Sequence, residues 1–209
     1  MKPPCAIVIM AKAPVAGYAK TRLIPTLGAA GAAQVAERLL SHSIAAAQAA
    51  ALGPVDLCCA PDDQHASFVR PARAGLVTTS IQGDGDLGAR MARAFDRRLK
   101  TAERVLLMGT DCPGLDAAVL HAAAAALDRF EAVFVPALDG GYALVGLRRR
   151  VPQIFANMHW STASVMAQTR RRLKRSGMAH HELPPLPDVD EPRDLVHLPP
   201  GWLPEPRRA

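Results

Sequence analysis

The sequence predicts an α/β protein with a mostly parallel sheet, and three observations carry that expectation. Short β-branched apolar runs alternate with longer alanine-rich segments, the order expected of successive βα units. Several of these runs are apolar at every position, as strands covered on both faces are. The chain has 209 residues, of which 49% are hydrophobic, enough to bury one large core, so a single domain over 1–209 is expected.

Taken in chain order, strands are expected over 6–10, 55–60, 76–81, 105–108, 132–136 and 142–147, with a last one near 180–183. Between them the alanine-rich stretches give helices over 30–52, 87–101, 116–129 and 163–176. In the second helix Leu87, Met91, Ala94, Phe95 and Leu99 recur at helical spacing, with Arg90, Arg93, Arg97 and Arg98 mainly elsewhere around it. Asp86 stands where an N-cap would. The hydroxyls of Ser161 and Thr162 are placed to cap the fourth helix. That helix ends in five cations within 170–175, which reads as a solvated face near a C-terminus, where positive charge is favoured. From Leu183 onward prolines accumulate, so the C-terminus is expected to wrap over the domain and to finish as a Pro-rich tail from about 199.

Composition narrows the function. A net charge of +6 favours acidic partners, which include nucleotides and sugar phosphates as well as nucleic acids. With 4% aromatic residues and no interleaving of aromatic and basic side chains, platforms for stacking single strands are missing, and nucleic acid is a disfavoured partner. The four cysteines show no C-x-x-C spacing and read as reduced structural thiols. No stretch approaches a membrane span and the first apolar run is short for a signal peptide, so a cytoplasmic protein without membrane attachment is expected. Association into a homo-oligomer is left open.

Five loops carry candidate chemistry. Lys12, Lys20 and Arg22 lie in a loop punctuated by Pro14, Gly17 and Pro25 directly after the first strand, so three cations could converge on one polyphosphate. Gly109-Thr110-Asp111-Cys112-Pro113 follows the strand over 105–108. Both loops would emerge at the carboxyl edge of a parallel sheet, where open α/β folds bind ligands. There a turn aspartate suits a hard cation such as Mg²⁺ as well as it suits a helix cap. In Asp188-Val189-Asp190, alternation points both carboxylates to one side, where they repel unless a cation lies between them. Asp139-Gly140-Gly141-Tyr142 is either a hairpin turn or a close backbone approach to a ligand. Gln82 to Gly88 is glycine-rich, with Gly85 and Gly88, but fits neither a P-loop nor a dinucleotide fingerprint.

The joint order K-x-P-x-x-G-x-x-K-T-R-L, G-D-L-G-x-R-M, G-T-D-C-P, L-D-G-G-Y, W-S-T and D-V-D resembles the glycosyltransferase-A-like family called radical-SAM/selenodomain-associated transferase 1, of the nucleotide-diphospho-sugar transferase superfamily. The resemblance runs from about Ala6 to Leu195, and the first motif is also similar to that of 2-phospholactate guanylyltransferase. Ala16 stands where the family usually has a second proline, and the G-x-G-x-R turn of sugar nucleotidyltransferases is missing. The resemblance implies a Rossmann-like three-layer sheet of the GT-A type, with Mg²⁺ or Mn²⁺ at Asp111 and a second carboxylate at Asp190, Asp188 being the alternative. It implies phosphate contacts from Lys20 and Arg22, so Lys20, Arg22 and Asp111 are the expected catalytic set, and Lys12, Gly17 and Thr21 of the same loop are expected substrate contacts. Gly85, Asp86 and Gly88 would flank base or ribose, and Asp139, Gly140, Gly141 and Tyr142 the acceptor.

The activity expected on this basis is nucleotidyl transfer from a nucleoside triphosphate to a small phosphate or carboxylate acceptor, with release of pyrophosphate. Glycosyl transfer from a nucleotide diphosphate sugar is the alternative, and a non-catalytic nucleotide-binding domain the second.

Overall fold

The computed structural model describes residues 4–204. The chain runs β1 (Ala6–Lys12), α1 (Ile24–Ala50), β2 (Val55–Ala60), α2 (Ala66–Arg73), β3 (Thr78–Ile81), α3 (Leu87–Arg98), β4 (Val105–Met108), α4 (Ala117–Ala126), β5 (Ala132–Pro136), β6 (Tyr142–Leu147), α5 (Val165–Arg175) and β7 (His180–Glu182). All seven strands join one sheet in the order β3-β2-β1-β4-β6-β5-β7. Only β6 runs antiparallel to its neighbours, β4 and β5.

The two-sided burial inferred from the uniformly apolar runs is seen directly. Alternate residues of β1 feed two cores: Ile7, Ile9 and Ala11 pack with Leu40, Ile44 and Ala47 of α1 and with Leu120 and Ala123 of α4. Ala6 and Val8 face the other way, onto Met91, Ala94 and Phe95 of α3 and Met166 and Leu173 of α5. The period-2 alternation of the strands thus meets helices on both faces, giving three layers. A third cluster joins Leu23, Val35 and Leu39 to Val189, Leu195 and Trp202. Through Trp202 the Pro-rich segment lies against α1.

The helices depart from expectation at their ends. α1 begins six residues early, at Ile24 rather than at 30, because Pro25 sits in its first turn and a kink at Gly28 (φ 69°) joins that turn to the long helix. α2 has no counterpart in the sequence reading: Pro71 lies inside it, and only Phe68 is buried. It is nucleated by His65, whose side chain accepts a hydrogen bond from the Ser67 N–H. Asp86 caps α3 by accepting from the Ala89 N–H, as its position predicted, and Asp116 caps α4 in the same way. The expected cap of α5 by Ser161 or Thr162 is not made. Ser164 is the N-cap residue and makes no side-chain cap bond, while the Thr162 hydroxyl turns back to the His159 carbonyl at 2.8 Å.

The basic run on α5 is only partly a solvated face. Arg170 pairs with Glu182, and Arg172 donates to the carbonyls of Ile154, Ala156 and Asn157, tying down the loop before the helix. The cysteines are free and buried, and burial pushes the Cys59 thiol up to about 12. No helix among the described residues is long and apolar enough to cross a membrane.

Candidate active site

Strands β1 and β4 are hydrogen-bonded neighbours and parallel, so the loops that follow them emerge side by side at one edge of the sheet. Because β6 is antiparallel, the β5–β6 turn reaches the same edge. The segment after β7 returns there too, through an isolated bridge between Ala137 and Leu186. Between these four loops lies a cleft of about 750 Å³ lined by Lys12, Lys20, Thr21, Arg22, Asp111, Asp139, Gly141, Tyr142 and Asp190 among others.

The first loop is built on left-handed turns. Gly17 has φ 81°, and Lys20 takes φ 48°, a conformation that costs a long side chain energy and holds only where its surroundings fix it. Here they do. The Lys20 ammonium sits 2.5 Å from Asp111 Oδ1, 2.6 Å from the Val189 carbonyl oxygen and 3.7 Å from Asp190 Oδ1, with its side chain only 7% exposed. Arg22 pairs with the other oxygen of Asp190. Lys12, at the end of β1, lies 3.9 Å over the centre of the Tyr18 ring. The three cations do share one cleft, but Lys20 and Arg22 are engaged by carboxylates rather than presented free to an anion.

The backbone reinforces this closure, since the Val189 N–H donates to the Asp111 carbonyl at 2.8 Å. Val189 is fully buried between the half-buried Asp188 and Asp190, as strict alternation requires. Both carboxylates line a second lobe of about 360 Å³ that continues from the first. There five acidic residues, Asp139, Asp188, Asp190, Glu191 and Asp194, face Arg22, Arg193 and His197. Burial first, and then the nearby Asp139 charge, push the half-buried Asp188 carboxyl up to about 6. Next to Asp111, burial holds the Cys112 thiol far above its ordinary range, so it stays protonated.

Other expected residues fall outside the cleft, each for a visible reason. Asp86 spends its carboxylate on the cap of α3. A Cβ at Gly88 would lie 2.5 Å from the Phe155 carbonyl and 2.8 Å from the Trp160 ring, so this glycine allows the helix to pack rather than a ligand to approach. Gly140 is covered in the same way by Ala163, whose carbonyl would be 2.2 Å from a Cβ. The Asp139–Gly141 segment is a hairpin turn, with the Gly141 N–H bonded to Asp139 Oδ1 at 2.8 Å, and unlike Gly140 both Asp139 and Gly141 do line the cleft. Gly17 and Gly85 shape their loops through positive φ and do not line the cavity.

The structure adds Gln82, Met10, Met91 and Trp160 to the walls. Gln82 is 8% exposed, and its amide donates to the carbonyls of Ala11 and Cys58, both at 3.1 Å. It opens the glycine-rich loop over 82–88 that the sequence singles out, although the sequence assigns it no role there. Tyr142 packs edge-on against Phe134 and Trp160, and burial raises its phenol above the ordinary range. Among the described residues no three His, Cys, Asp or Glu side chains converge as a ready-made metal site.

The three-layer α/β architecture, with its cleft at the carboxyl edge of the sheet, is shared with solved structures of nucleotide-diphospho-sugar transferase and cytidylyltransferase type. A protein of Desulfovibrio desulfuricans G20, described as a candidate nucleotide-diphospho-sugar transferase, superposes with a TM-score of 0.83 at 29% identity, over 93% of this chain and 85% of that one. Residues 29–162, more than half of the chain, match the family of uncharacterized proteins conserved in bacteria, DUF2064, and the chain belongs to that family. Two more distant structures share the fold. Rv0371C of Mycobacterium tuberculosis H37Rv, solved as a manganese complex, aligns at 16% identity and a TM-score of 0.57 over 97% of this chain and 99% of that one. CMP:2-keto-3-deoxy-manno-octonic acid synthetase, solved with CTP, aligns at 13% and 0.55 over 92% and 95%. No curated protein matches the sequence.

Proposed function

We propose that the protein is a divalent-metal-assisted transferase acting on the phosphate chain of a nucleotide, and specifically a nucleotidyltransferase. One observation carries the reading: Asp111 and Asp190 meet at the carboxyl edge of β1 and β4, in the same cleft as Lys12, Lys20 and Arg22. Structures of this fold with CTP or with manganese support it. The first motif's similarity to 2-phospholactate guanylyltransferase points the same way.

The residues fit a hard cation. All donors at the crossing are oxygens, a shell of that kind already surrounds the Lys20 ammonium, and Mg²⁺ typically takes only one or two carboxylates with phosphates and waters completing its shell. Asp111 and Asp190 would hold it, and Asp188 adds negative potential beside them. When bound, such an ion neutralises phosphate charge and holds phosphate oxygens in place.

The chain's own residues supply the rest. Lys12, Lys20 and Arg22 bind and orient the polyphosphate, and the cleft walls position the nucleoside against the acceptor. An acceptor oxygen forms a bond to the α-phosphorus, the bond to the bridging oxygen breaks, and its electron pair leaves with pyrophosphate. A phosphate or carboxylate acceptor carries no proton that must be removed. No side-chain nucleophile is needed.

Glycosyl transfer is the second reading, favoured by the description of the Desulfovibrio protein and by the resemblance to radical-SAM/selenodomain-associated transferase 1. The same cleft would then hold a departing nucleoside diphosphate. Calorimetry against nucleoside triphosphates and nucleotide sugars, each with Mg²⁺ and with chelator, followed by product analysis, separates the two. Metal-dependent binding of a triphosphate with pyrophosphate release is the expected result. Release of a nucleoside diphosphate from a nucleotide sugar would replace the first reading by the second, and no binding of either class would overturn both.

A further inference from the structure

We infer that the Lys20 ammonium is a resident cation that holds the metal's place in the ligand-free protein, so that a divalent ion enters only once a polyphosphate draws the lysine away. The inference deepens the reading above and rests on it for the identity of the second ligand.

The geometry is that of a cation site already filled. The ammonium contacts Asp111 at 2.5 Å and the Val189 carbonyl at 2.6 Å, and it faces Asp190 at 3.7 Å. These are hard oxygens of the kind a magnesium-sized ion selects. An ammonium and a dication that use the same two carboxylates exclude one another, because both cannot occupy one gap and their charges repel. The lysine is not a loose surface group that moves aside at no cost: its side chain is 7% exposed, and its backbone is held at φ 48°, ψ 44°.

Leaving this position therefore requires a new partner for the positive charge. Lys20 lines the same cleft as Lys12, so a polyphosphate bound there offers one. The backbone latch from the Val189 N–H to the Asp111 carbonyl, 2.8 Å, does not depend on the lysine, so the acidic pair keeps its spacing when the ammonium departs. Metal and nucleotide are then coupled, and by linkage each must raise the affinity for the other by the same factor. Arg22 stays on the outer oxygen of Asp190 and limits that carboxylate's free charge in both states. The protein would thus refuse metal alone and accept metal with substrate.

The test uses Mn²⁺ alone, with no nucleotide, and follows the loss of the free-ion paramagnetic resonance signal in chelator-treated protein. The wild-type chain should bind Mn²⁺ weakly. Lys20→Met and Lys20→Gln, the latter keeping an N–H donor for the Val189 carbonyl, should bind it at least about tenfold more tightly, since one competing charge has gone. Mn²⁺ should also raise their melting temperatures more than that of the wild type. Adding Asp111→Asn to either variant should abolish the gain. Folded lysine variants that bind no better than the wild type overturn the inference, and so does tight binding of Mn²⁺ by the wild-type protein, which needs no variant at all. Because nucleotide is not the probe, a gain in Mn²⁺ affinity in a protein that binds no nucleotide would support the resident cation and overturn the transferase reading.

Discussion

Two clusters of aspartate with arginine or lysine flank the central strands, and they are finished in opposite ways. In one, Asp56 of β2 is fully buried and both its oxygens are taken, by Arg97 and Arg98 of α3 and by the Ser80 hydroxyl at 2.9 Å. What is left over there is donors: the Nε atoms of both arginines are buried without partners among the described residues. In the other, at the cleft, carboxylates are left over. Asp188 and Asp139 repel one another in a lobe where five acids face two arginines and one histidine. The first, closed cluster buries its carboxylate with both oxygens taken and carries its excess positive charge on partly exposed arginines, so it serves the fold. The second, open one leaves carboxylates unpaired at a cleft, which has kept a place for something of the opposite sign.

The comparison breaks most readily at Asp56. Asp56→Asn leaves two guanidinium groups against a neutral amide, and losing one partner of a buried pair costs about 3–5 kcal/mol. Melting should fall by about 10 °C, with nucleotide affinity of the folded protein unchanged. A small loss of stability would mean that the closed cluster is no more structural than the open one. At the cleft the expectation reverses. Asp111→Ala should slow turnover by about 100- to 1000-fold, the usual cost of removing one electrostatic contact to a reacting centre, as measured by steady-state release of pyrophosphate. Near-normal turnover would remove the main reason for placing the chemistry there.

Much of this contrast lay in the sequence, though not the pairings. The strand boundaries at 55–60, 105–108, 132–136 and 142–147 were legible because each apolar run ends at proline, glycine or charge. Asp188 and Asp190 could be placed on one side because alternation is strict in an extended segment, and Val189 is accordingly in the core. Helix α2 was hidden, since its interior proline and polar start imitate a loop. At the site, the order of strands was not legible, and that order brings Lys20 against Val189, 169 residues away in the chain. Asp86 shows the other limit. Its chemistry at a glycine-rich turn is the same whether it caps a helix or meets a ribose, and only the position of the Ala89 N–H decides.

The same substitution that weakens the closed cluster should strengthen the open one, and pH sets where. Asp188 ionises near 6 in the folded protein against an ordinary value of 3.8. An acid whose pKa is raised by folding binds its proton more tightly when folded, so its contribution to stability is complete below about 3.8 and is lost as pH rises through about 6. Asp188→Asn cannot ionise and escapes that loss. At pH 7.5 it should melt above the wild type, by about 2–4 °C if screening of a half-buried group leaves about 1 kcal/mol. Near pH 4 the two should melt together. Thermal melts of both proteins across this range read the sign directly: a variant no more stable at pH 7.5 than the wild type would show that the surplus carboxylates are already compensated, and that the cleft is as closed as the cluster around Asp56.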